Sequence, residues 1–136
     1  PGVVVKTVSK HGAIVVNDGG TLVVQGVANN PVVFTSINDL SVDGYTGYPH
    51  EYTEPTKSDW KGINFLKNSK GRISNLEIKY SGKKINGASI NIQSGDVSVI
   101  NSKVSDGYGA AISLHASACS SIIKNNTYIR NKINAR

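Results

Sequence analysis

The chain of 136 residues has no methionine, one cysteine, one tryptophan, two phenylalanines and four prolines. Each shortage removes a class of protein. Cys119 alone leaves no internal disulfide and no cysteine-based zinc site; a small buried thiol is the expected state, with an intermolecular disulfide as the alternative. No apolar run approaches the ~18 residues of a membrane span. Leucine is scarce too, at five residues against 29 valines and isoleucines. β-Branched side chains lose rotamer freedom in helices and pack well on pleated sheets, so this imbalance excludes a helix bundle and predicts an all-β domain.

Acids are few and unevenly placed. Nine carboxylates face fifteen cations, a net charge of +6. Residues 38–60 hold Asp39, Asp43, Glu51, Glu54 and Asp59 with only Lys57, leaving fourteen cations against four acids elsewhere. A basic body suits anionic glycans or cell-envelope polymers. Arginine contributes only three of the cations, and no zinc pattern, helix-turn-helix or aromatic-basic RNA signature is present, so nucleic acid is set aside as a partner. The chain opens Pro1-Gly2-Val3-Val4-Val5 without a signal sequence. It reads as one domain over 1–136 and as a fragment or processed form of a longer chain.

What is abundant repeats. Ile73-Ser74-Asn75-Leu76-Glu77-Ile78, Val99-Ile100-Asn101-Ser102-Lys103-Val104 and Ile123-Lys124-Asn125-Asn126-Thr127-Tyr128 share apolar-x-Asn-x-x-apolar. Alternating segments around Ile63, Ile90 and Ile112 precede them. A unit of ~22–27 residues made of short strands marks a coiled β-solenoid whose turns stack on one another. Upstream, Asn17-Asp18-Gly19-Gly20 between two strands also matches a hairpin turn, which keeps an antiparallel β-sandwich as the alternative.

The segments Gly20-Thr21-Leu22-Val23-Val24-Gln25-Gly26, Asn30-Pro31-Val32-Val33-Phe34-Thr35-Ser36 and Trp60-Lys61-Gly62-Ile63 resemble the right-handed parallel β-helix repeats, with a pectate-lyase-like fold, of secreted and surface-anchored bacterial and archaeal proteins. The resemblance implies a solenoid of about five coils. Enzymes, phage tailspikes and non-catalytic adhesins share that fold, so it implies no one activity.

Alternation points Ile63, Phe65, Ile90, Ile92, Ile112 and Leu114 inward, and Asn64, Leu66, Asn91, Gln93, Ser113 and His115 outward. Asn75, Asn101 and Asn125 fall at turns, where asparagine accepts the left-handed backbone, and predict an internal asparagine ladder. Asn125-Asn126-Thr127 is also formally a glycosylation sequon, which a buried ladder would make inaccessible. Residues 41–58 break the repeat as an inserted loop rich in Tyr and acids. Tyr45, Tyr48, Tyr52 and Trp60, with Asn91, Gln93, Ser113 and His115, form the candidate ligand-binding set, since aromatic rings stack on sugar faces and amides bond hydroxyls. The alternative is a packed loop covering the solenoid wall. No cofactor or metal is expected; calcium held by Asp39, Asp43, Glu51, Glu54 and Asp59 is a minor reading without EF-hand or nonapeptide spacing.

Polysaccharide cleavage needs paired carboxylates, or calcium with an Arg or Lys base. The outward strand positions hold no such pair, and Ser113 and His115 share a strand face with no oxyanion-hole motif. No catalytic residue is assigned. The expectation is a non-catalytic structural or adhesive module, extracellular or on the cell surface, with carbohydrate binding or a polysaccharide lyase or glycosidase as the alternative. A polysaccharide or envelope polymer, and self-association through the coil ends into fibres, are the expected partnerships.

Overall fold

The computed structural model describes residues 1–47, 51, 53–82, 87–93, 95–118 and 120–135. In chain order the strands are β1 (Val4–Thr7), β2 (Ile14–Val16) and β3 (Thr21–Gln25), then β4 (Val32–Ser36), β5 (Ile63–Phe65) and β6 (Lys70–Ser74). They continue as β7 (Leu76–Lys79), β8 (Ala88–Ile92) and β9 (Asp96–Ile100), then β10 (Lys103–Ser105), β11 (Ala110–Leu114) and β12 (Ile122–Lys124), and close with β13 (Thr127–Ile129) and β14 (Ile133–Ala135).

Three sheets result. Sheet A runs β1-β4-β7-β10-β13, sheet B β2-β5-β8-β11-β14 and sheet C β3-β6-β9-β12. Every strand pair is parallel, and each strand bonds to the third one after it. The chain therefore visits the three sheets in rotation. The antiparallel alternative for the first third does not occur: β2 and β3, on either side of Asn17-Asp18-Gly19-Gly20, belong to different sheets. Gly20 N–H does bond back to Asn17 C=O at 2.8 Å, so the turn chemistry is real, but it rounds a corner rather than closing a hairpin.

The core is a set of in-register columns. Phe34, Ile78 and Val104 stack in sheet A, Ile63, Ile90 and Ile112 in sheet B, and Val24, Ile73 and Val99 in sheet C, all buried in one cluster. Each fully buried side chain contributes roughly 1.5–3 kcal/mol, and a slip of one residue would turn a whole column outward. Gly71 belongs to this packing: a Cβ there would sit 2.6 Å from the Phe65 ring. Leu114, expected inside, is 40% exposed. Its column runs Val16, Phe65, Ile92, Leu114, and β14 pairs only up to Ala135 opposite Ile112, so no described strand residue covers it.

The corner from sheet C to sheet A falls at Asn75, Asn101 and Asn125, with φ of 49°, 49° and 56°. The left-handed backbone was legible; the buried ladder was not correct. Asn101 and Asn125 are exposed, and among the described residues only the Asn75 side chain of the three bonds across circuits, from Nδ2 to Gly26 O at 3.1 Å. The inter-circuit work passes to the next residue, whose side chain points back between circuits. Asn126 accepts from Ser102 N–H at 2.9 Å and donates to Val99 O at 2.8 Å. The corner from sheet A to sheet B repeats the device with different residues: Tyr80, Asp106 and Arg130 have φ of 57°, 55° and 54°. Asn131, following Arg130, accepts from Gly107 N–H and donates to Val104 O, both at 2.8 Å.

Candidate functional site

The outer face of sheet B carries Val15, Asn64, Asn91 and Ser113 as one column, each the register partner of the next. Adjacent parallel strands lie ~4.8 Å apart, so the three polar side chains form a ladder at that spacing. They are half-buried, and the described strands of sheet B hold no acid. Gln93 and His115 continue this face past the strand ends, with their backbone N–H groups bonded to Phe65 O and Ile92 O at 2.9 Å each. His115 is exposed and Gln93 half-buried. Four of the predicted ligand-binding residues, Asn91, Gln93, Ser113 and His115, thus share one side of the molecule.

The aromatic half of that set does not join them. Trp60 is wholly buried and donates its Nε1–H to Lys79 O at 2.8 Å, so its ring has no face for a ligand. The reason lies at the entry to sheet B, where Trp60 bridges Ser81 and its ring joins the core cluster. Tyr45 is 64% exposed but lies on the other side, next to Gly44, whose carbonyl accepts from Lys6 of β1 at 2.6 Å. Tyr48 and Tyr52 fall outside the described residues, as does Cys119.

The residues on either side of the inserted loop form a strap over β4 of sheet A. Asp39, buried, accepts from Lys79 Nζ and Thr35 Oγ1 at 2.7 Å each and from Ser41 N–H at 3.2 Å. Asp59, buried, accepts from Ser36 Oγ at 2.7 Å and Thr56 N–H at 3.1 Å. These bonds cover the outside of β4, all five residues of which are buried. Further along, Lys57 Nζ reaches Arg130 O at 2.5 Å. Burial pushes the Asp39 carboxyl up, but hydrogen bonds from Lys79, Ser41 and Thr35 and the Lys79 charge outweigh it and hold it below the usual carboxylate value. Asp106 is likewise held low, first by the Arg130 hydrogen bond, at 2.6 Å from Nε.

Of the five acids offered to calcium, Asp39 and Asp59 are thus committed to protein donors, and no group of three possible metal ligands exists among the described residues. Three further ion pairs join successive circuits: Arg72–Asp96 at 2.7 Å, Lys103–Glu77 at 2.5 Å and Arg130–Asp106. Each pair joins residues 24 or 26 apart, within the repeat length read from the sequence, but the repeat alone does not say which charged side chains of neighbouring circuits come to lie side by side. No helix among the described residues is long and apolar enough to cross a membrane.

The chain matches no protein-family model, and neither a curated protein nor a solved structure is significantly similar to it.

Proposed function

We propose that the chain is a right-handed parallel β-helix of about five coils that acts as a non-catalytic structural or adhesive module of an extracellular or cell-surface protein. The rotation of the chain through three all-parallel sheets supports the helix. Right-handedness follows from strand twist, which lets a parallel crossover pack back onto its sheet in that hand alone in nearly all proteins.

The observation that carries the functional reading is the neutral polar ladder Asn64, Asn91, Ser113 on the outer face of sheet B, whose described strands hold no carboxylate. Amides and hydroxyls repeated at one spacing suit a linear hydroxylated polymer. Hydrolysis of a glycosidic bond by the usual carboxyl pair needs the two groups roughly 5–9.5 Å apart flanking the bond, and the described strands of this face supply none.

Titration with neutral and acidic polysaccharides, with a cleavage assay on the same samples, tests this. Binding without cleavage, weakened by Asn91→Ala together with Ser113→Ala, is the expected result. Release of oligosaccharides would replace it with the lyase or glycosidase reading. Light scattering over a concentration series, run alongside, reads self-association through the outermost strands.

A further inference from the structure

The turns from sheet B to sheet C differ in length. Residues 66–69 join β5 to β6, 93–95 join β8 to β9, and 115–121 join β11 to β12, the last with a 3-10 turn at Ala116–Ala118. The shortest of these lies between two longer ones, so a recess of about 390 Å³ opens over it. Lys67, Asn68 and Lys70 form one side, Gln93 and Asp96 the floor, and Ser117 the other side.

The recess is held in shape. Ser117 Oγ donates to Gln93 O at 2.8 Å and Ser120 Oγ donates to Gly95 O, which clamps the long turn to the short one. A Cβ at Gly95 would lie 2.7 Å from Ser120 Oγ, so a side chain there would push against the clamp.

Its charge is unbalanced. The one carboxylate in the lining, Asp96, already has Arg72 at 2.7 Å. Lys67 and Lys70 have no carboxylate within ion-pair distance among the described residues, and the side-chain amides of Asn68 and Gln93 make no hydrogen bond there. Two ammonium groups and two amide donors around a concave surface favour negatively charged oxygen, because charge-assisted hydrogen bonds are the strong ones and lysine offers three donors on a compact charge.

We propose that this recess between the turns of successive circuits, lined by Lys67, Lys70, Asn68 and Gln93, is a binding site for an oxyanion group: sulfate, phosphate or carboxylate. It shares Gln93 with the outer face of sheet B but does not depend on the Asn64–Asn91–Ser113 ladder, since the lysines that carry its charge lie outside that ladder.

The test is amide NMR on the isotope-labelled chain, with sodium sulfate, phosphate and acetate titrated separately at ionic strength held constant with sodium chloride. Saturable shifts confined to the backbone amides of residues 67–70, 93, 95–96 and 117 are expected with at least one salt, and the ranking of the three identifies the oxyanion. The double variant Lys67→Gln/Lys70→Gln should bind at least about tenfold more weakly with an otherwise unchanged spectrum. Lys124→Gln, an exposed lysine of β12, should bind as the parent does. Unsaturable shifts spread over every lysine-bearing surface, or undiminished binding by the double variant, would overturn the proposal.

Discussion

The outer faces of sheets A and B are built on the same circuits yet differ in what covers them. Sheet A lies under the strap, and its charged side chains are used: Lys79 on Asp39, Lys103 on Glu77, Lys6 on the carbonyls of Asp39 and Gly44. Sheet B is open, neutral and periodic, with Asn64, Asn91 and Ser113 in register. The contrast separates acids that hold structure from amides and a hydroxyl that make no side-chain hydrogen bond among the described residues. An acid-rich, tyrosine-rich insertion looks like a binding loop in sequence, but a buried carboxylate already satisfied by Lys79, Thr35 and Ser41 cannot serve a ligand without unfolding its own anchor.

The largest effect should come from cutting that anchor. Asp39→Ala leaves the Lys79 ammonium and the Thr35 hydroxyl without their acceptor, and is expected to cost about 3–5 kcal/mol in urea unfolding. A loss under about 0.5 kcal/mol, the range of an ordinary surface change, would place the strap loosely on sheet A and erase the contrast.

Acid should weaken sheet A's cover without touching sheet B. Asp39 and Asp106 are held low in the folded chain, so they stabilise it at pH above the ordinary carboxylate value near 3.9 and lose that contribution as pH falls through their lower folded values. Unfolding midpoints should fall from about pH 5 to pH 2, and Asp39→Asn should flatten part of that slope. An identical slope in the variant would mean that Asp39 is not held low.

A smaller loss is expected at the corners. Asn126→Ala removes both inter-circuit side-chain bonds and strands the Ser102 N–H, for a cost of about 1–3 kcal/mol. Asn125→Ala, at the exposed left-handed position, should cost less; the reverse order would restore the buried ladder. Smallest of all, Asn91→Ala on the open face should change stability by no more than about 0.5 kcal/mol while weakening polymer binding.

The inward column Ile63, Ile90 and Ile112 of sheet B was legible because isoleucine alternates with polar residues at a repeating interval, and period-two alternation is a direct consequence of strand geometry. The corner asparagines were legible as backbone, since a positive φ favours that side chain, but their exposure was not, because the residue that turns inward at a corner is set by three-dimensional packing. The corner at Tyr80, Asp106 and Arg130 recurs at the same intervals of 26 and 24 and escaped notice because its side chains share no chemistry. The strap's anchors and the recess were illegible for a common reason: both depend on which residues of different circuits come to lie side by side. Trp60 shows the same limit, as a ring that sequence alone offers equally to a ligand or to the core.

The account stands on the register of the circuits, and one measurement reads it directly. Asn64→Cys with Asn91→Cys, in a Cys119→Ser background, places two thiols on adjacent parallel strands with backbones ~4.8 Å apart, inside the span a disulfide bridges. Val15→Cys with Asn91→Cys places them two strands apart, beyond that span. Mild oxidation should close an intramolecular disulfide in the first chain and not in the second. Equal closure in both, or closure only in the second, would contradict the stacking of circuits on which the open polar ladder depends.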